Sequence, residues 1–287
     1  MEKVLFETVK ACDSTNIRAV RYEPETSPIG ILQIIHGFGE GIGHYDDMVD
    51  FFTNKGYACV MHDQRGFGEM PDKTPRQRKR ARGIVSNYKC LMCDIKTIRS
   101  QINEWYPEIP VILFGHSMGG NIVANYLIKF PQAEYEKAIL EAPWLRLYKP
   151  FPEFARKFAK FAGKISEKLA LKAKLKIDSI SRNQDKTKNL LNDGIFHTRM
   201  SLKLFAEITD AGEHAIKNAG HIKIPALLLC PGKDEIVCPK AIREFAALTG
   251  ENVKFIEYPD GYHSLHSDII CDEVLSEMLA FCKKDYS

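Results

Sequence analysis

The chain has 287 residues, 45% apolar and 27% charged, with a formal net charge of +3, ordinary globular values that allow a large core in one domain or a domain plus an insertion. No apolar run approaches the roughly 20 residues of a membrane-spanning helix, and Met1-Glu2-Lys3-Val4 does not begin a secretory leader. The eight cysteines have no short regular spacing and read as the reduced thiols of a cytoplasmic protein, with Cys90 and Cys93 as two ordinary helix cysteines.

In chain order, residues 3–9 and 17–22 read as a β-hairpin, and Ile31–Ile35 as a buried strand. That strand runs into His36-Gly37-Phe38-Gly39-Glu40, a Gly-rich turn placed where a backbone oxyanion donor is drawn from, and a helix follows over 45–55. Tyr57–Met61 is the next strand, and the His62-Asp63 pair at its end reads as a structural loop clamp. Residues 71–82 carry six Lys or Arg against Asp72 alone and read as a solvated basic loop. Ser86 is placed to cap a helix running to about Tyr106.

Val111–Phe114 then ends abruptly in Gly115-His116-Ser117-Met118-Gly119, ahead of a helix-like segment over 121–130. A strand, a sharp G-x-S-x-G turn and a helix form a nucleophile elbow, which makes Ser117 the candidate nucleophile. The oxyanion donors would be the backbone N–H groups of Phe38 and Met118, each able to lower the barrier by about 3 kcal/mol. Gly37 and His116, beside these donors, are the candidate substrate contacts. Ala138–Leu140 is the sixth strand. Beyond it, residues 145–222 hold helical patterns and no convincing strand. Phe151, Phe154, Phe158, Phe161 and Ile165 recur at steps of three and four, the stripe of an amphipathic helix. Residues 149–188 contain twelve Lys or Arg against four Asp or Glu. This segment is expected to be a lid over Ser117, its stripe packed on the core or turned to an anionic lipid surface.

Strands resume at Pro225–Cys230, and Asp234 lies just past the end, with Glu235 as its neighbouring rival. The last strand, 252–258, leads to a loop carrying His263, with His266 close behind, and then to a helix over 268–282. Asp234 and His263 complete the Ser…Asp…His order of a catalytic triad, in which the histidine takes the serine proton and the acid orients it. There is no H-E-x-x-H, metal-ligand histidine spacing, dinucleotide fingerprint or nucleic-acid motif, so no metal, cofactor or nucleic-acid partner is expected.

The stretches His36–Glu40, His62–Gly68, Gly115–Gly120 and the segments around Asp234 and His263 resemble the monoacylglycerol lipase and lysophospholipase branch of the α/β-hydrolases, over about residues 3–282. The resemblance implies an α/β fold with a mostly parallel eight-stranded sheet flanked by helices. It implies a core over 1–144 and 223–287, and a helical lid over 145–222 inserted after strand six. Ile180-Ser181-Arg182-Asn183 is similar to the short Ser-Arg motif of that branch, whereas Gly66-Phe67-Gly68-Glu69-Met70 departs from its usual G-H-G-x-S. The expected activity is hydrolysis of monoacylglycerol-like or lysophospholipid-like acyl esters through an acyl-enzyme, with Ser117, Asp234 and His263 as triad. The alternatives are an aminopeptidase of the same fold and a non-catalytic small-ligand binder.

Overall fold

Residues 3–70 and 72–283 are described by the computed structural model; Met1, Glu2, Pro71 and residues 284–287, and with them part of the leader expectation, lie outside it. Among the described residues ten strands are formed: β1 (Lys3–Lys10), β2 (Asn16–Glu23), β3 (Gly30–Ile35), β4 (Tyr57–His62), β5 (Val111–His116), β6 (Lys137–Glu141), β7 (Ala170–Lys172), β8 (Arg199–Ser201), β9 (Ala226–Pro231) and β10 (Val253–Tyr258). Eight of them make one sheet in the order β1-β2-β4-β3-β5-β6-β9-β10. The β1–β2 and β2–β4 pairs are antiparallel, and every other pair in that sheet is parallel.

The central strands β3, β4, β5, β6 and β9 are buried along their whole length. They are continuous apolar runs rather than alternating ones because helices cover both faces of the sheet. Alternate residues go to opposite sides: Val111 and Leu113 join one core, Ile112 and Phe114 the other. The first core lies under helices α3 (Tyr88–Trp105), α4 (Met118–Lys129), α7 (Leu202–Lys217) and α8 (Pro239–Ala247). The second lies under α1 (Asp46–Thr53) and α9 (Cys271–Lys283).

Several local expectations change. The basic stretch is a helix, α2 (Pro75–Ala81), not a loop: Thr74 and Gln77 form a reciprocal capping box and Pro75 pre-sets the first turn. Asn87, not Ser86, caps α3 by accepting from the Lys89 N–H at 2.8 Å. Residues 145–222 contain strand after all, β7 and β8 pairing antiparallel over three residues, beside α5 (Glu153–Ile165) and α6 (Gln184–Asn192). Cys12, in the β1–β2 turn, is joined to Cys93 on α3, so the all-thiol expectation fails for that pair. The hairpin turn and α3 are also clamped by Arg65, which reaches both Asp13 and Asp94.

The aromatic stripe of α5 faces solvent. Phe151, Phe154, Phe158, Phe161 and Ile165 are 58–75% exposed, while Ala159, Ala162 and Gly163 are buried. The small face goes inward because α5 crosses α7 closely; a Cβ on Gly163 would come within 2.8 Å of the Lys203 Cα. Among the described residues no helix is long and apolar enough to cross a membrane.

Candidate active site

Three sheet strands deliver the three candidate residues from their carboxyl ends. β5 ends in the elbow, where Ser117 takes φ +53°, a conformation that L-residues rarely adopt and that neighbouring structure must enforce. Here the Ser117 N–H donates to the Glu141 carbonyl at 3.0 Å, and the Ser117 carbonyl accepts from Trp144 and from Asn121 on α4. β9 leads to Asp234, whose Oδ1 accepts the N–H groups of Ile236 (2.7 Å) and Val237 (2.9 Å). β10 leads to the loop carrying His263.

The chain brings these side chains into one line. His263 Nε2 lies 2.9 Å from Ser117 Oγ, and His263 Nδ1 lies 2.5 Å from Asp234 Oδ2. All three residues are buried. Burial alone would push the His263 imidazole down, but the Asp234 carboxylate beside it, with Glu40 and Glu141 further off, holds it above the ordinary histidine value. Glu235 turns away to Lys176 and to the Ser179 hydroxyl. His266 stacks on Tyr45 and pairs with Glu141 rather than approaching Ser117.

The candidate oxyanion residues stand at the start of α4 and in the turn after β3. Met118 opens α4, so its N–H belongs to the first turn, whose donors have no intrahelical acceptor and sit at the positive end of the helix dipole. Phe38 follows Gly37, whose N–H donates to Glu40 Oε2 at 2.7 Å and to the Tyr45 hydroxyl at 3.2 Å, fixing the turn. The Phe38 ring packs edge-on against Phe67 and Trp144. His36 holds the same turn from behind: its Nε2 accepts the Gln64 N–H at 3.0 Å, and burial lowers it to about 4, so it stays neutral. Gly37 and His116, the expected substrate contacts, turn their polar groups elsewhere: the Gly37 N–H is taken by Glu40 and Tyr45, and His116 is buried with its Nδ1 beside Tyr45 and Glu40 and its ring 4.9 Å from that of His263.

Sequence reasoning did not find the brace on the histidine loop. Arg182 Nε donates to Asp268 at 2.9 and 3.1 Å, Asp268 accepts the Tyr262 N–H at 3.0 Å, and the Ser181 hydroxyl donates to the Ser267 carbonyl at 2.9 Å. The only signal was the Ser181-Arg182 pair itself; its partners lie 86 residues away. Of the expected loop clamp, Asp63 takes its part, accepting from Arg18 and from the Ile42 and Glu69 N–H groups, whereas the buried His62 Nδ1 has no hydrogen-bond partner among the described residues.

The fold and this constellation are those of a serine hydrolase of the α/β-hydrolase class. Residues 26–269 match the family described as "Serine aminopeptidase, S33", and the chain belongs to that family. Phospholipase YtpA of Bacillus subtilis is 25% identical over 88% of this chain and 95% of its own. A Schizosaccharomyces pombe protein is 26% identical over 83% of this chain, which spans 63% of that relative's length. The crystal structure of Paleococcus ferrophilus monoacylglycerol lipase is 28% identical, covers 93% of this chain and 98% of its own, and superposes with a TM-score of 0.81.

Proposed function

We propose that this protein is a serine carboxylester hydrolase acting through an acyl-enzyme on monoacylglycerol-like or lysophospholipid-like esters of medium or long acyl chain. The observation that carries the reading is the continuous Ser117–His263–Asp234 hydrogen-bonded line at a strained elbow. His263 takes the Ser117 proton as Oγ attacks the ester carbonyl, and the resulting oxyanion is held by the Phe38 and Met118 amides. His263 then protonates the leaving alcohol, and water repeats the sequence on the acyl-enzyme. Gly37 shapes the donor loop, His116 backs the nucleophile, and the aromatic wall of Phe38, Phe67 and Trp144 suits an apolar acyl group. The names of the Bacillus and Paleococcus proteins support the same substrate class.

The family's description favours a second reading, removal of N-terminal residues from peptides. That chemistry needs a carboxylate to hold the substrate ammonium. In the inserted segment Glu153 is paired with Lys157 and Asp185 with Lys188, both at the surface. Hydrolysis of p-nitrophenyl esters from acetate to long acyl chains, set against aminoacyl p-nitroanilides, separates the two readings. kcat/KM is expected to rise toward medium or long chains. Turnover of the anilides above that of every ester would sink the ester assignment in favour of the peptidase.

Residues 145–222 are read as a cap over the site, and its outward stripe as a surface for anionic lipid. Lys157, Lys160, Lys164 and Lys168 lie on or next to α5 among the exposed rings. Burying a Phe side chain in an apolar phase contributes about 1.5–3 kcal/mol. Phe154→Ser with Phe158→Ser is therefore expected to weaken partition onto anionic vesicles by about a hundredfold or more. Binding of the native chain should fall as salt rises, since the lysine contribution is screened. Sedimentation with vesicles checks both, and equal partition of the double variant, or indifference to salt, would refute the docking surface.

A further inference from the structure

Behind His263 lies a second buried polar cluster that takes no proton in the ester chemistry. His116 and Glu141 are the last residues of β5 and β6 and are register partners on adjacent strands. His266 joins them from a single 3-10 turn, Leu265–Ser267. All three are more than nine-tenths buried, and each offers one ligand atom, a ring nitrogen or a carboxylate oxygen, the three lying within 4.8 Å of one another. Two of the cluster's atoms, His116 Nε2 and Glu141 Oε2, have no hydrogen-bond partner among the described residues. Leaving a buried polar atom unpaired is costly for a neutral imidazole and more so for a carboxylate.

We propose that His116, Glu141 and His266 bind one divalent transition-metal ion of the zinc type. Imidazole nitrogen and carboxylate oxygen are donors that zinc takes, and three protein ligands with one open position are an established set. With metal–ligand bonds of about 2.0–2.1 Å, a tetrahedral edge is about 3.3–3.4 Å. Glu141 Oε1 stands 2.9 Å from His266 Nδ1 and 3.9 Å from His116 Nε2, so the two distances bracket that edge. The shorter distance is a hydrogen bond, so zinc binding displaces the proton between His266 Nδ1 and Glu141 Oε1 and releases it.

The surroundings fit the ion as well. His116 Nδ1 lies 3.3 Å from the Tyr45 hydroxyl and 3.6 Å from Glu40 Oε2, and Tyr45 donates to Glu40 at 2.6 Å. A carboxylate on the far nitrogen of a ligand histidine is a recurring support, because it holds the proton on Nδ1 and leaves the Nε2 lone pair for the metal. Glu141 and Glu40 together balance a double positive charge. A cavity of about 210 Å³ reaches His266 and is lined also by Glu40, Asp46 and Asp47, the last paired with Lys186. Positions 116, 141 and 266 are far apart in the chain, so no spacing motif reveals them. The His116 ring is 4.9 Å from that of His263, so a bound ion opposes the positive charge that His263 must acquire in the transition state. Occupancy acts as a brake on turnover.

The test uses the full chain stripped with a chelator and titrated with zinc and cobalt salts. Calorimetry is expected to give one zinc ion per chain at micromolar affinity. Cobalt should produce visible d–d bands without the near-ultraviolet thiolate charge transfer, and zinc should abolish them. Glu141→Gln, nearly isosteric, should weaken zinc binding by more than the 10–100-fold that a supporting residue costs, and Glu40→Gln by about 10–100-fold. If Glu141→Gln does not fold, the cobalt spectrum of the native chain decides alone. Absence of binding, a thiolate signature, or undiminished zinc affinity in a folded Glu141→Gln chain would overturn the site. These readouts stand whether or not the chain turns over esters.

Discussion

Ser117→Ala is expected to lower kcat on a long-chain ester by about 10⁶-fold, and Asp234→Asn by about 10⁴-fold, with unchanged thermal midpoints. The first removes the nucleophile and leaves only what the oxyanion donors and substrate binding contribute. The second follows from the hydrogen bonds around Asp234. Its Oδ1 is fixed by the Ile236 and Val237 N–H groups, so an asparagine in its place must keep its carbonyl oxygen there. The asparagine NH₂ then faces His263 Nδ1 and donates to it, forcing the other ring nitrogen to carry the proton. A protonated Nε2 cannot accept from Ser117 Oγ, although the geometry is intact. Glu235→Gln is the control: that carboxylate is held by Lys176 and Ser179, so kcat should stay within about threefold. Because the triad acts as a unit, Ser117→Ala with Asp234→Asn should be no slower than Ser117→Ala alone. Steady-state kinetics on the four chains checks this. An Asp234→Asn chain retaining a tenth of the native kcat, or a Glu235→Gln chain falling by thousands, would move the orienting acid elsewhere.

The sheet was legible because each central strand is a short continuous apolar run closed by glycine or a charged turn, and the elbow because its strand, turn and helix are contiguous. Ser117, Asp234 and His263, which the structure brings into one hydrogen-bonded line, could each be singled out from a position after a strand end. What escaped depends on partners distant in sequence. The Arg182–Asp268 brace spans 86 residues and the Cys12–Cys93 link 81, and neither end carries a local mark of the other. β7 and β8 have three residues each and exist only through their mutual pairing. The α2 helix has no apolar periodicity to announce it, although Thr74-Pro75-Arg76-Gln77 held the capping signal. Periodicity along α5 gave the stripe but not its direction. The complementary row of Ala159, Ala162 and Gly163 decided that, since only small residues permit the close crossing with α7. Glu141 read as the end of a strand, and its buried partners come from β5 and from beyond β10.

Gly119→Ala is expected to destabilise the fold by about 4 kcal/mol, because the approach it blocks is between backbones. A Cβ on Gly119 would lie 2.1 Å from the Ile35 carbonyl oxygen and 2.7 Å from that of His36. Neither atom can swing aside as a side chain would. Ile35 is hydrogen-bonded into the sheet beside Gly115, and His36 is pinned to Gln64. The strain must therefore be taken up by displacing the first turn of α4 from the end of β3. For a chain of this size the thermal midpoint should fall by about 8–12 °C. The displacement also moves the Met118 amide, one of the two proposed oxyanion donors, so kcat/KM should drop at temperatures where the chain is still folded, while substrate binding through the acyl group persists. Gly43→Ala is the matched control: nothing lies within 4 Å of the added carbon, and the change should stay within about 1 kcal/mol of the native chain. Calorimetric unfolding together with kinetics well below the midpoint separates the two effects. A Gly119→Ala midpoint within about 2 °C of the native value would mean that α4 can retreat freely, and the oxyanion geometry would then not depend on this contact.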